Sequence, residues 1–588
     1  PDANEVKPFR FKYLTESRKI YVLSLLVGLC AGLSAVLLDY LIHLIRRLLT
    51  SGFADGLFHW QYLVYPGVGM LISYLLLKFV VRDNISHGVT KVLLAVSRND
   101  SLIKPHNTWT SVLTSSVTIG FGGSVGAEAP IVYTGAAIGS NIGRLAGLSY
   151  RSVTLLLGCG AAAAVAGIFK APLAGVLFTV EILMFSISLN SLLPLLLSTI
   201  TATVVSYIFR GQDPLFACNL VRFSMGNLPF YIVLGIVGGF ASLYFTRTTL
   251  KLEDWLSGFK KPIVKWAGCA FGLGLLIFVF PELYGEGYDV ISSLLDGSSS
   301  MGSSPLSFLT RSPWGVPLLF LMVFFLKVIA MTFTNAGGGV GGTFGPTLFA
   351  GAIIGFVVSR TLNLIPYFGF DVPEKNFVLV GMAALMAGVM QSPLTAIFLI
   401  AEISGGYDLL IPLILTATIS FATVRLFEKY SIYTKRIAQS GDLLTHDSDK
   451  AVITLMRLSD LVRDKYPRIQ PEQSLRDLVS VVSASTAQVV AVVDASGHFQ
   501  GMIDIGNIHK ELLDESKYDS VRVYNLMTTD IPLVFLDEKM DSVMNKFDIT
   551  GAWRLPVVDH DRVYQGFISR SRVLMAYRDA LKQISPDD

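Results

Sequence analysis

The sequence predicts an all-α polytopic membrane domain with two inverted-topology repeats and broken helices, followed by a C-terminal α/β domain. Three observations carry this prediction. Charged residues make up only 15% of the 588 residues, against roughly 25% in a typical soluble protein. One Gly-rich segment occurs twice in the apolar part of the chain. After residue 427 the apolar runs give way to short alternating strands and amphipathic helices.

Long apolar runs fill the chain before residue 427, and residues 451–588 hold 36 of the 91 charged side chains. A bilayer core of about 30 Å takes about 20 apolar residues in a helix, so several runs can span it. Shorter runs, or runs broken by Gly and Pro, predict half-helices. The runs are 20–49, 64–81, 151–169, 173–209, 230–248, 264–280, 316–333, 347–365 and 376–427.

Residues 1–19 form a basic segment ahead of the first apolar run. By the positive-inside rule this end is cytoplasmic, and the run is too long for a signal-peptide core. The net charge of +3 does not indicate a nucleic-acid partner. The four cysteines lie singly, without metal-ligand or disulfide spacing. The basic residues are Lys7, Arg10, Lys12, Arg18 and Lys19.

The duplicated segment changes one residue between its copies. GGSVGAEAP (122–130) matches GGVGGTFGP (338–346) at an offset of 216, which aligns Glu128 with Phe344. The flanking segments AGIFKAPLAGVLFTVEI (166–182) and AGVMQSPLTAIFLIAEI (387–403) match at an offset of 221. A carboxylate in one break and an aromatic ring in the other predict a pathway at the interface of the repeats.

Each break places helix N-termini inside the membrane. The first turn of a helix carries unpaired N–H groups and about half a positive charge, so several such ends make an anion site without Lys or Arg. Glycine permits the break, and proline suits the first turn, where its missing N–H costs nothing. A carboxylate at Glu128 can occupy that site as a gate, a proton carrier or both; the alternative is a helix cap.

A second repeat organises the C-terminal part. VVDASGHFQGMID (492–504) and VVDHDRVYQGFIS (557–569) match at an offset of 65, and each reads as strand, turn, strand. Helical patterns precede them at 472–484 and 537–549 and follow them at 507–514 and 571–583. The sequence therefore predicts one soluble tandem domain, and the polar segment 435–456 is its linker.

These motifs resemble those of a known family. GSVGAEAP, GGTFGP and the paired AG…PL…E segments are similar to the CLC family of chloride channels and chloride/proton exchangers, and the tail resembles paired CBS domains. The resemblance implies transport of chloride or a similar small anion by residues 20–434. It also implies a CBS pair at 457–588, in copies of about 457–515 and 522–582, and a homodimer in the plasma or inner membrane. The N-terminus and the CBS pair are expected on the cytoplasmic side.

The resemblance also assigns residues to the pathway. Glu128 matches the gating glutamate, and Tyr433 in SIYTKR (431–436) matches the tyrosine whose hydroxyl closes the inner side of the anion site. Backbone N–H groups of Thr343 and Phe344 match those that hold the central anion. The expected anion-binding set is His87, Gly126, Ala127, Thr343, Phe344 and Tyr433.

Three positions depart from the family pattern. In SHGVT (86–90), His87 replaces an anion-coordinating serine; either its ring donates to the anion, or the ring points away and backbone amides serve. The serine's loss leaves chloride and nitrate as open alternatives. Ala127 stands where many relatives carry Arg or Lys. Ile182 replaces the inner proton-transfer glutamate, which favours a channel over a chloride/proton antiporter, although water could bridge the route.

The predicted CBS pair departs from a nucleotide-binding pattern. The positions expected to hold a ribose are Asp504 with Asn507 and Ser569 with Arg572, and neither copy keeps the Asp three residues on. An adenine nucleotide is therefore disfavoured, no other cofactor is expected, and Arg572 could instead face a phosphate.

Other function classes fit less well. Ser124 in GGSVG (122–126) fits a serine hydrolase elbow, but that motif needs a preceding strand, and an apolar helical pattern precedes it here. GGGVGG (337–342) lacks the βαβ context of a dinucleotide site. No enzymatic activity is predicted, and a transporter of small carboxylates is the alternative outside the family.

Overall fold

A computed structural model describes most of the chain. The chain divides into two compact units, Pro1–Leu443 and Leu444–Asp588. Part of the predicted linker, 441–455, and the basic residues Lys7, Arg10 and Lys12 lie outside the described residues. The described residues are 15–51, 60–83, 85, 87–98, 101–185, 189–216, 218, 220–298, 306–365, 371–440, 456, 458–463, 466–538 and 540–584.

The first unit is built from helices, two of which extend beyond the predicted membrane domain. The first helix takes in the last residues of the predicted 1–19 segment, and the last helix takes in residues 435–440 of the predicted linker. The helices are α1 Glu16–Thr50, α2 Gln61–Leu75, α3 Gly88–Arg98, α4 Thr110–Gly120, α5 Glu128–Leu145, α6 Tyr150–Phe169, α7 Pro172–Glu181, α8 Leu189–Arg210, α9 Leu228–Ser257, α10 Pro262–Val279, α11 Tyr288–Asp296, α12 Gly315–Ala336, α13 Phe344–Asn363, α14 Glu374–Met390, α15 Pro393–Ile403, α16 Leu410–Arg425 and α17 Thr434–Ser440.

Eight helices in the described ranges are long and apolar enough to cross a bilayer: α1, α2 with its π-helical extension to Val81, α6, α8, α9, α10, α12 and α13. The predicted run 173–209 divides into α7 and α8, and 376–427 divides into α14, α15 and α16. Pro172 and Pro393 open α7 and α15, which are shorter apolar helices of the half-helix kind.

The two sequence copies take the same backbone path. Gly122 after α4 (φ 95°) and Gly338 after α12 (φ 101°) both adopt the left-handed conformation that glycine tolerates. After α6 and α14, the C-caps Lys170 (φ 58°) and Gln391 (φ 54°) are left-handed as well. The duplication predicted from the sequence is therefore confirmed in the backbone.

The copies are also inverted relative to each other. Glu181, the last residue of α7, accepts hydrogen bonds from two first-turn amides of α15, at 3.0 and 2.7 Å. Glu402, near the end of α15, accepts hydrogen bonds from two first-turn amides of α7, at 3.1 and 2.9 Å. Because each helix ends where the other begins, α7 and α15 run antiparallel, as an inverted repeat requires.

The second unit contains two three-stranded sheets of the same topology, ordered β1-β2-β3 and β4-β5-β6. In each, the first strand pairs parallel and the third antiparallel with the middle strand, and each antiparallel pair has one register shift. The strands are β1 Arg468–Ile469, β2 Val489–Val493, β3 Phe499–Asp504, β4 Val534–Phe535, β5 Arg554–Val558 and β6 Tyr564–Ser569. The helices are α18 Leu458–Leu461, α19 Leu475–Ser483, α20 His509–Leu512, α21 Met540–Thr550 and α22 Arg570–Ile584.

Candidate functional site

Three helices of the membrane unit begin at one place. Gly126 and Gly342 exchange a pair of backbone hydrogen bonds, at 3.0 and 2.7 Å, just before α5 and α13 begin. The first residue of α3, Gly88, packs against the first turn of α5, since a Cβ at Gly88 would lie 2.4 Å from the carbonyl oxygen of Ala129. Residues 122–130 and 338–346 thus meet as the repeat predicted. The amides of Gly126 and Gly342 are paired with each other, and the first-turn amides of α5 and α13, which lack partners within their helices, converge. The two prolines, Pro130 and Pro346, are each third in their helix, within the first turn.

Glu128 is the first residue of α5 and is 2% exposed. Its carboxylate turns back over Gly126 towards α13: a Cβ at Gly126 would lie 2.0 Å from Glu128 Oε2 and 2.9 Å from the amide nitrogen of Gly345. Tyr288 Oη donates a hydrogen bond to Glu128 Oε1 at 2.5 Å. A carboxyl group of this chain therefore lies against the first turn of α13, where an anion is expected to bind.

Thr343 is the N-cap residue of α13, and Phe344 is its first residue. The Phe344 ring is buried and packs on Phe169 and Phe178, with centroid separations of 5.3 and 6.3 Å. Its side chain is thus held by apolar neighbours, while the first-turn amides of α13 have no partner within the helix. Thr343 Oγ1 donates to Tyr433 Oη at 3.1 Å. The tyrosine named from the sequence accordingly lies at the N-terminus of α13.

His87 lies immediately before α3 in a left-handed conformation (φ 58°). Its Nε2 is 3.9 Å from Oε1 of Glu253 on α9. A neighbouring carboxylate opposes anion binding by the ring, and a protonated ring would pair with Glu253. This placement favours the second arrangement, in which backbone amides at the start of α3 serve the anion, and the role of the His87 ring stays a prediction.

Ile182 caps α7 and is 4% exposed. The neighbouring carboxylate, Glu181, accepts hydrogen bonds from the first turn of α15. The position that would carry an inner proton-transfer carboxylate therefore holds a buried aliphatic side chain.

Sequence reasoning missed a polar cluster beside Glu128. Lys327 on α12 is fully buried; its Nζ donates to Ser124 Oγ at 2.9 Å and to the carbonyl oxygens of Gly285 and Glu286, at 2.9 and 3.4 Å. Oε1 of Glu286 accepts a hydrogen bond from the amide of Ala127 at 2.9 Å. A signal was present, because Lys327 is the one charged residue in the apolar run 316–333.

This cluster and Tyr433 lie on opposite sides of Glu128. The helix α1 is 35 residues long, about 52 Å at 1.5 Å per residue. Arg46 near its end forms an ion pair with Asp289, next to Tyr288. At the beginning of α1, Glu16 accepts a hydrogen bond from Ser149, in the loop that follows α5. Helix α3 ends near the same loop, since Tyr150 Oη donates to the carbonyl oxygen of Val96. Tyr433 contacts α3, because its carbonyl oxygen accepts from Thr90 Oγ1. The Glu286 segment is therefore on the Arg46 side, and Tyr433 is on the Glu16 side.

Asp504 and Ser569, two of the residues at positions that the resemblance associates with a ribose, are the last residues of β3 and β6. Asp504 Oδ1 accepts from the amide of Gly506 at 3.0 Å, and Asn507 is exposed. Ser569 Oγ accepts from the Arg572 amide at 3.4 Å, and the Arg572 guanidinium donates to a backbone carbonyl at 3.4 Å. Asp504 and Ser569 thus make local hydrogen bonds, whereas Arg572 Nη1 is buried without a hydrogen-bond partner among the described residues.

Ser124 does not fit a hydrolase elbow. The element before it is α4, not a strand, its amide donates to Thr334 Oγ1 at 3.1 Å, and its hydroxyl accepts from Lys327. These contacts are structural ones, between the break and α12.

Comparison with known proteins places the chain among relatives. The family profile "Voltage gated chloride channel" matches residues 68–425, and the profile "CBS domain" matches residues 523–579, which covers only the second strand-turn-strand copy. Chloride channel protein CLC-e of Arabidopsis thaliana is 29% identical over 426 residues, 66% of this chain and 57% of the relative. H(+)/Cl(-) exchange transporter ClcA of Salmonella arizonae is 26% identical over 420 residues, 68% of this chain and 83% of the relative.

Two solved structures share the fold. A slow cyanobacterial Cl-/H+ antiporter covers 73% of this chain and 99% of its own, with 23% identity and a TM-score of 0.62. A eukaryotic CLC transporter covers 94% of this chain and 98% of its own, with 17% identity and a TM-score of 0.58.

Proposed function

Because the chain belongs to the CLC family of voltage-gated chloride channels, we propose that it carries chloride, or a similar small anion, across a membrane between α5 and α13. The observation that carries the proposal is the position of the Glu128 carboxylate, beside the Gly345 amide at the first turn of α13. A carboxylate and a chloride ion compete for the same donors. Anion passage requires Glu128 to swing away or to be neutralised by a proton.

The donors are suited to an anion that must also leave. Backbone amides and the Tyr433 hydroxyl hold an anion without a permanent counter-charge in contact with it. The buried ammonium group of Lys327 is directed at Ser124 and two carbonyl oxygens. Binding at such a site is favourable enough for entry and weak enough for release.

Passive conduction is the mode that Ile182 supports, since an aliphatic side chain cannot relay a proton. Exchange with protons is the second candidate, and the names of the relatives support it: the Salmonella protein is an H(+)/Cl(-) exchange transporter. On this proposal the Glu16 side, which carries Arg18 and Lys19, faces the cytoplasm. The chain acts as a homodimer with a cytoplasmic CBS pair that takes part in packing and dimer coupling.

A single vesicle preparation tests both the transport of chloride and the choice between passive conduction and exchange with protons. The purified full chain is reconstituted with a chloride gradient, and chloride release and proton movement are read together with the reversal potential. Chloride release above that of protein-free vesicles is expected, and its absence from monodisperse, folded protein would refute the transport proposal. Uphill proton movement driven by chloride would replace conduction with exchange.

Variants assign the gate in the same assay. Glu128→Gln keeps the side-chain shape but removes the charge, so release should become faster at neutral pH, and any proton coupling should disappear. Asp296→Asn removes an exposed carboxylate at the end of α11 and should behave as the unmodified chain does. Proton coupling that survives in Glu128→Gln would contradict the gate assignment. Nitrate or acetate in place of chloride separates the anion classes that the sequence leaves open.

A further inference from the structure

The carboxylate of Glu286 accepts a hydrogen bond from a backbone amide at the start of α5. The amide of Ala127, the N-cap residue of α5, is one of the N–H groups that a helix leaves unpaired at its beginning. Glu286 Oε1 accepts a hydrogen bond from it at 2.9 Å. The Ala127 amide was expected to face an anion; here a carboxylate of another segment takes it.

The segment that carries Glu286 is fixed through its main chain. The Lys327 ammonium donates to the carbonyl oxygens of Gly285 and Glu286 and to Ser124 Oγ. Two residues on, Tyr288 Oη donates to Glu128. Because these contacts hold the backbone, the Glu286 side chain is the part of the segment that can leave Ala127 without disturbing the fold, and it is only half-buried.

We infer that Glu286 is a second gate, on the Arg46 side of Glu128, whose carboxylate must release the Ala127 amide before an anion can reach the Glu128 position. The inference rests on the proposed function. Two carboxylates in series hold two neighbouring helix N-termini, Glu128 at α13 and Glu286 at α5. An anion arriving from the Arg46 side meets Glu286 first, and a proton taken from that side neutralises it.

The charges that face Glu286 come from several elements. They are Glu128 on α5, Lys327 on α12 and Asp39 on α1, together with the Tyr288 hydroxyl on α11. Glu128 and Asp39 oppose a negative charge at Glu286, and Lys327 favours it. Since Glu128 and Glu286 are neighbours, their protonation is linked, and each must be tested with the other neutralised.

A series of variants in the vesicle assay separates the two gates. The pH on the Arg46 side is varied between about 5 and 8 while the other side is held constant. In Glu128→Gln, chloride release should still rise by about fivefold or more on acidification, within the range of a coupling between two sites. Glu128→Gln with Glu286→Gln should be nearly independent of pH. Glu286→Gln alone should need less chloride for half-maximal release than the unmodified chain.

Glu282→Gln is the matched control, a partly buried carboxylate in the preceding 3₁₀ turn Pro281–Leu283, and it should leave both readouts unchanged. A flat pH profile in Glu128→Gln alone would overturn the second gate, and this arm does not depend on whether any Glu286 variant folds. An unaltered chloride dependence in Glu286→Gln would also overturn the second gate. Absence of release from the unmodified chain would instead refute the proposed function itself.

Discussion

Replacing Glu181 by Ala should destabilise the membrane unit more than the same change at its repeat mate, Glu402. Glu181 Oε1 accepts from the Leu394 amide at 3.0 Å, and its Oε2 accepts from the amide and the hydroxyl of Thr395, both at 2.7 Å. At about 1 kcal/mol net for each of these bonds, Glu181→Ala should cost about 3 kcal/mol.

The repeat supplies the control. Glu402 accepts from only two amides, at 3.1 and 2.9 Å, because Ala174 stands where the other half has Thr395. Glu402→Ala should therefore cost about 2 kcal/mol. In a Thr395→Ala background, the cost of Glu181→Ala should fall to about 2 kcal/mol, since the third bond is already absent.

Unfolding in mixed micelles, titrated with SDS and followed by circular dichroism, measures these differences on the full chain. Equal losses for Glu181→Ala and Glu402→Ala, or a cost of Glu181→Ala that does not change when Thr395 is replaced, would refute the assignment of both carboxylates as reciprocal caps. The same Glu181→Ala protein should keep the pH dependence of chloride release, whereas a proton-carrying role for Glu181 would remove it.

Three further predictions follow from other contacts. Lys327→Met should cost about 2–4 kcal/mol in the same titration, because it leaves buried acceptors without a donor. Gly126→Ala would place a Cβ 2.0 Å from Glu128 Oε2 and 2.9 Å from the Gly345 amide nitrogen, so it should displace the carboxylate and also cover an anion donor; chloride release at neutral pH should therefore stay below that of Glu128→Gln. Burial alone would raise the pKa of Glu538 in the C-terminal unit, but hydrogen bonds, led by that from Lys546, lower it. Because its pKa is lower in the folded state, Glu538 contributes stability above its unfolded pKa, and this contribution is lost as pH falls through the folded pKa. Glu538→Gln should therefore speed amide exchange in α21 at pH 7 and not below about pH 4.

The sequence predicted the parts of the site that the repeat encodes. Glycine and proline spacing at 122–130 and 338–346 determines local backbone geometry, and an internal offset can be measured within one chain. The resemblance then pointed to Tyr433, whose hydroxyl does contact Thr343. Such features depend on short segments or on motifs.

The contacts that the sequence did not predict join distant segments. Lys327 and Ser124 are 203 residues apart, and Glu286 and Ala127 are 159 apart. A lone lysine in an apolar run indicates a buried partner without saying which one. His87 shows the same limit: its alignment suggests an anion ligand, but the approach of Glu253 from α9 is decided by packing.

The differences between the two halves give the site its chemistry. Both breaks offer the same kind of donor, unpaired amides at a helix start, and the inverted arrangement makes these donors converge from two directions. A ring in both breaks would leave the start of α13 without a carboxylate that competes with the anion. Phe344, packed on Phe169 and Phe178, keeps one half as a fixed donor, and Glu128 makes the other half movable.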